Sequence, residues 1–225
     1  MRLLISSEGR SQPLTEKSLA LAARTLAKRD EHLARILSTY GVPPLWRRAT
    51  GFGTLVHIIL EQQVSLSSGR AMFSRLKGSI QPFLPEQFLQ VGESHLRKLG
   101  VTRQKASYLL HLSSRIVSRD LNLRELDRMS DADAKLLLMQ VKGIGSWSAD
   151  VYLLMAMRRP DAWPAGDLAL AVAVKELKQL ERRPGPAELE ELAEEWRPHR
   201  AVAARMLWQY YLGRKKPALP EGPPI

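Results

Sequence analysis

An all-α fold is what this sequence predicts, and three observations predict it. Apolar residues recur at three- and four-residue spacing in nearly every segment. A Ser, Thr or Asp stands just before many of these runs, where its side chain can cap a helix. The most strand-like run, Leu168–Val174, continues its pattern through Leu177 and Leu180, beyond common strand length.

In chain order, Thr15 caps a run carrying Leu19, Ala22, Ala23 and Leu26, and Asp30 caps a second with Leu33, Ile36 and Leu37, stopped by Gly41 and Pro43-Pro44. Phe52, Leu55, Val56, Ile59 and Leu60 form a wide stripe ending at Glu61-Gln62-Gln63, and Ser65 opens the next helix. Pro82 and Pro85 interrupt the pattern before two short helices around Phe88 and Leu96. Thr102 opens a longer helix to about Asp120, and Ser130 caps the helix from Asp131 to Met139. Ser146 opens a helix to about Met157, Asp167 precedes another, and Gly185-Pro186 and Pro198 stand before the last two. The sum is ten to twelve helices, followed by an irregular tail over 214–225.

Composition bounds the chemistry. The chain of 225 residues has no cysteine, which excludes disulfides, thiolate nucleophiles and cysteine-ligated iron–sulfur or zinc sites. No window reaches the length of a membrane span, the N-terminus lacks a signal-peptide core, and an intracellular, cytoplasmic place is expected. The net charge of +11, from 34 basic and 23 acidic residues, points to a polyanion, with nucleic acid ahead of an anionic membrane. Glu188, Glu190, Glu191, Glu194 and Glu195 crowd one late helix, which should face away from any phosphate backbone.

Two features stand out as chemistry. In Val141-Lys142-Gly143-Ile144-Gly145, the glycines allow positive φ and close backbone approach. The amides at the start of the helix opened by Ser146 lack partners within it, so a phosphate fits there, with Lys142 adjacent. The bland alternative is an ordinary helix–turn–helix connection. Twenty-two residues after Gly145, a loop with Pro160, Pro164 and Gly166 delivers Asp167 among Trp163, Ala165, Leu168 and Ala169. Asp167 is a natural helix cap. In apolar surroundings its carboxylate also stabilises a cation forming beside it, and Asp161 makes a carboxylate pair available.

Gln62-Gln63 end an apolar stripe, either as an ordinary polar terminus or as amides that interact with base edges or fill the space a base leaves. Among the tryptophans, Trp208 reads as core, whereas Trp147 falls in the first turn after the hairpin. No arrangement supports His57 or His199 as metal ligands.

The stretch LMQVKGIGSWSADVYLLMAMRRPDAWPAGDLAL resembles the signature of the helix-hairpin-helix (HhH-GPD) DNA glycosylase superfamily. FGTLVHIILEQQVSLSSGRAMFSRL, LGVTRQKASYLLHLS and EEWRPHRAVAARMLWQYYL look like its 3-methyladenine DNA glycosylase II (AlkA-like) group, so the resemblance runs from about Leu33 to Gly213. It implies a two-lobe fold with duplex DNA in the cleft, subdomain A being 14–45 plus 165–213 and subdomain B 46–164, with the helix-hairpin-helix at 131–157. Lys142, Gly143, Gly145 and Ser146 would hold backbone phosphate, and Asp167 matches the catalytic aspartate. Gln63, with Gln62 beside it, falls where members place a wedge residue. A sodium or potassium ion on the carbonyls of Gln140, Val141 and Ile144 is implied, with no other cofactor required.

Trp147 stands where lyase-competent relatives carry a lysine, which implies a monofunctional enzyme, since an indole forms no Schiff base. At the base pocket the chain departs from the pattern, with Val151 in place of an aromatic and a small Ala169. A more open pocket, or one lined from elsewhere by Trp46 or Trp196, is therefore expected. The implied reaction is hydrolytic removal of alkylated purines of the 3-methyladenine or 7-methylguanine type from duplex DNA by a monomer, as the first step of base excision repair. A non-catalytic DNA-binding module and a monofunctional glycosylase for mismatched or oxidised bases are the alternatives.

Overall fold

The structure is a computed structural model and describes residues 12–214. The expected tail lies outside the described residues from position 215 onward. Described residues contain eleven α-helices: α1 (Glu16–Ala27), α2 (Glu31–Tyr40), α3 (Phe52–Glu61), α4 (Leu66–Ser79), α5 (Pro85–Lys98), α6 (Arg103–Val117), α7 (Asp131–Met139), α8 (Ser146–Met155), α9 (Leu168–Leu177), α10 (Pro186–Ala193) and α11 (Arg200–Gly213). Short 3-10 turns occur at Glu125–Arg128 and Glu194–Trp196. None of the helices is long and apolar enough to cross a membrane.

The expected caps form. Thr15, Asp30, Ser65, Thr102, Ser130 and Asp167 each accept a hydrogen bond from a backbone amide in the first turn that follows. Two helices stop earlier than expected. α6 ends at Val117 because Arg119 turns left-handed (φ 64°) and Leu121 N closes on Arg115 O. α8 ends at Met155, with Arg158 left-handed (φ 55°) and Arg159 N closing on Leu153 O. The two helices expected around Phe88 and Leu96 run together as α5, broken inside by the left-handed Gly92 (φ 70°).

Among the described residues the chain forms two compact units, one holding Arg48–Tyr152 and the other 12–47 with 153–214. The second boundary therefore falls inside α8, upstream of the 164/165 boundary expected from the sequence. In the first unit α3 packs on α4 and α6, and α5 packs on α6. Its core joins Leu55, Val56 and Ile59 to Leu76, Leu96, Leu109 and Leu112. Edge-on contacts of Phe83 and Phe52 with Phe88, each at 5.0 Å, extend it.

In the second unit α11 packs against α1, α2 and α9. Every residue from Arg200 to Gln209 is buried, so the helix needs internal partners for its polar groups. Arg205, fully buried, donates to Leu45 O (3.0 Å), Ala201 O (2.8 Å) and Leu154 O (2.7 Å). Burial pushes its pKa down to about 9.

Candidate functional site

Two groups of residues carry the chemistry, one in each unit. In the first unit the hairpin between α7 and α8 is held from α6. Gly143 is left-handed (φ 88°), and a Cβ added there would run into the ring of Tyr108. One turn on, His111 Nδ1 accepts the amide of Lys142 (3.0 Å), which requires that nitrogen to be unprotonated. A further turn on, Arg115 donates to Gln140 Oε1 (3.2 Å) and lies 3.5 Å from Gln140 O. Tyr108 in turn accepts from Gln104 Nε2 (2.7 Å). These side chains, at four-, three- and four-residue steps, form one face of α6.

Hairpin and α6 enclose a surface cavity of about 470 Å³, bordered also by Gln63 and Lys105. Lys142, Gly145 and Ser146 are exposed, as a phosphate contact requires, and Trp147 is half-buried in the first turn of α8. Ser146 Oγ donates to the buried Asp150 Oδ2 (3.3 Å), which also receives Lys135 Nζ (2.8 Å). The three carbonyls expected to share a monovalent ion are unequal. Gln140 O faces the Arg115 guanidinium, a positive charge that disfavours a cation there, while Val141 O accepts from Ile144 N (2.9 Å) and keeps a lone pair.

The two glutamines differ. Gln63 is exposed and left-handed (φ 56°). Gln62 does not fit a wedge role, because its Nε2 donates to Gly143 O (2.8 Å) and Ser148 Oγ (2.9 Å). Lys105 Nζ donates to Leu60 O (2.7 Å) and Gln62 O (2.8 Å) at the end of α3, and burial lowers its pKa.

In the second unit Asp167 is the N-cap of α9 and is only 3% exposed. Its Oδ1 accepts from Leu170 N (3.0 Å) and from Trp208 Nε1 (3.1 Å). Although buried, it borders a surface cavity of about 480 Å³ shared with Gly166, Leu168, Ala171, Arg182 and Arg183. The residue thus lines an opening while its side chain is held almost wholly covered. Asp161 forms no pair with it: Asp161 is bound by Arg197 (2.6 Å) and Arg200 (3.0 Å).

The expected base pocket is corrected at two positions. Val151 is wholly buried in α8, and Trp196 is 2% exposed, its Nε1 on Asp30 Oδ2 (2.8 Å) and its ring edge-on to Trp163 at 5.4 Å. Both are core because their surfaces are already covered. Ala169 is buried in the first turn of α9, and Trp46 is half-buried with a left-handed backbone (φ 42°), rare for a bulky residue. Sequence reasoning took Trp208 for core alone and passed over Lys105, Tyr108 and His111. The polar face of α6 was the signal for the last two.

Comparison with known proteins agrees with this architecture. The family profile described as HhH-GPD superfamily base excision DNA repair protein matches residues 56–199. Bacillus subtilis (strain 168) YfjP is 27% identical over 185 residues, 79% of this chain and 64% of its own length, so the chain spans less than two thirds of that relative. A Bacillus halodurans DNA-3-methyladenine glycosidase structure is similar at a TM-score of 0.74 and 27% identity, covering 84% of this chain and 88% of its own. The Schizosaccharomyces pombe 3-methyladenine DNA glycosylase Mag1, solved in complex with abasic DNA, shares the fold at a TM-score of 0.77 and 23% identity, covering 87% of this chain and 97% of its own.

Proposed function

Since the chain belongs to the HhH-GPD superfamily of base excision DNA repair proteins, we propose that it is a monofunctional DNA glycosylase, an intracellular monomer that releases alkylated purines from duplex DNA. The observation that carries this reading is the immobilised carboxylate of Asp167, set by two donors on one oxygen in a residue that lines a surface cavity. The names of the similar glycosylases, and the abasic DNA bound to one of them, support the substrate class.

On this reading the hairpin amides and Lys142 take backbone phosphates, which position the duplex without reading its sequence. A damaged nucleotide leaves the stack at a cost of a few kcal/mol, least for a weakened pair. A purine alkylated at N3 or N7 already carries positive charge, so the C1′–N bond breaks with its electron pair passing to the base. The sugar becomes oxocarbenium-like, and the carboxylate of Asp167, little exposed to solvent, stabilises that charge. Water then adds at C1′ and gives up a proton, leaving a free base and an abasic site. The reaction needs no resident cofactor; a monovalent ion at the hairpin would draw on Val141 and Ile144 carbonyls and add positive charge toward phosphate.

The test is incubation of the purified chain with methylated duplex DNA, identifying released bases and checking for strand nicks. Release of 3-methyladenine or 7-methylguanine without nicking is expected. Asp167→Asn should bind duplex as tightly and lose excision by orders of magnitude. Tight binding without release from the unaltered chain would select a non-catalytic binding module instead.

A further inference from the structure

Gln62 is bonded at both ends. Its main-chain carbonyl accepts from Lys105 on α6, and its side-chain amide donates to Gly143 O in the hairpin and to Ser148 Oγ on α8. One residue thus joins the end of α3 to both arms of the hairpin. The next residue, Gln63, is exposed and left-handed, a backbone that non-glycine residues seldom adopt. Lys105 holds Leu60 O and Gln62 O together, which fixes the direction in which the peptide enters Gln63.

The same helix backs the hairpin through Tyr108 and His111. A displacement of the hairpin by a bound phosphate therefore pulls on Gly143 O, and through the Gln62 amide on the loop that presents Gln63. Filling the space of an extruded nucleotide demands that the filling side chain and the phosphate grip keep a fixed spacing, within about 0.5 Å for a preorganised site.

We propose that Gln62 is a positioning residue that couples the hairpin to Gln63, so that phosphate capture and side-chain insertion into the duplex occur as one event. The assignment rests on the glycosylase reading above and deepens it, moving Gln62 from a second wedge to the joint behind the wedge.

A double-mutant cycle tests this. Gln62→Ala, Gln63→Ala and the double variant are compared for their preference for a duplex carrying a tetrahydrofuran abasic analogue over the same duplex undamaged. Unstacking of a neighbouring 2-aminopurine is followed by its fluorescence. Gln62→Ala should lower the preference about tenfold, the size of one or two neutral hydrogen bonds. The double variant should then match Gln63→Ala alone, since Gln62 acts only through its neighbour. Additive losses, no loss in Gln62→Ala, or an unaltered chain that prefers neither duplex would each overturn the coupling. If Gln62→Ala fails to fold, Gln62→Glu replaces it. The glutamate keeps the size and can accept from Ser148 Oγ instead of donating to it, but cannot donate to Gly143 O, and the same non-additivity is expected. Neither duplex carries a base to be released, so failure of base release would reject the glycosylase reading without deciding this one.

Discussion

Trp208 Nε1 and Leu170 N both donate to a single oxygen of Asp167, at 3.1 and 3.0 Å. One donor comes from α11 and the other from α9, so the packing of these two helices sets the angle of the carboxylate. Trp208→Phe keeps most of the ring and removes the donor. Its single-turnover excision rate should fall about tenfold to hundredfold, in line with the 1.5–3 kcal/mol of a hydrogen bond to a charged group. The thermal midpoint should fall by several degrees. Unchanged excision would leave the indole as filler.

The hairpin glycines should separate stability from binding. Gly143 is left-handed and abuts Tyr108, so Gly143→Ala should cost about 2 kcal/mol or more and lower the melting midpoint. At Gly145 a Cβ meets nothing within 4 Å, so Gly145→Ala should fold as well as the parent. If backbone amides approach phosphate there, Gly145→Ala weakens duplex affinity all the same. Melting curves and salt-dependent binding isotherms read the two effects apart.

Arg205 is a structural prediction. Arg205→Met would take the guanidinium from the carbonyls of Leu45 and Leu154, and from that of Ala201, which keeps its place in the helical ladder of α11. A loss of about 3 kcal/mol or more is expected, read as a lower denaturant midpoint at unchanged slope. A midpoint within error of the parent would contradict the role.

Stability should fall on mild acidification. Burial lowers the pKa of His57 from its ordinary 6.5; Glu61 opposes that shift, and Arg48 and Arg70 add to it. His199 is lowered by burial as well, with Asp161 opposing and Arg29 assisting. The unfolded chain binds a proton near 6.5 that the folded chain binds only at lower pH. Stability is therefore full above 6.5 and is lost as pH falls through the folded value of each histidine. Melting midpoints should drop between about pH 7 and pH 5. His57→Asn should flatten that slope, and an unchanged slope would place the titration elsewhere.

Helix starts were legible in the sequence because a cap is local: Thr15, Asp30, Ser130 and Asp167 each bond an amide within three residues. The positive φ of Gly143 was legible for the same reason. What escaped was long-range. Trp208 lies forty-one residues from Asp167, and Gln62 lies eighty-one from Gly143. Periodicity marks a tryptophan as inward-facing but does not say which polar atom meets its N–H. The two glutamines were inseparable on paper, since one left-handed peptide unit turns Gln63 outward while Gln62 is drawn in. The crowded glutamates of α10 were legible, but not their partners: Arg182 pairs with Glu188 and Arg200 with Glu190.

One consequence follows from Asp167 serving as a helix cap. Asparagine at that position would present the same oxygen to the same two N–H groups. For these two bonds the neutral amide is an acceptor too, though a weaker one than the carboxylate. A screen for expression or heat tolerance would read only that difference in hydrogen-bond strength, and the proposed base release would need its own assay. On the proposed function, selection on the charge comes from the reaction and not from the fold.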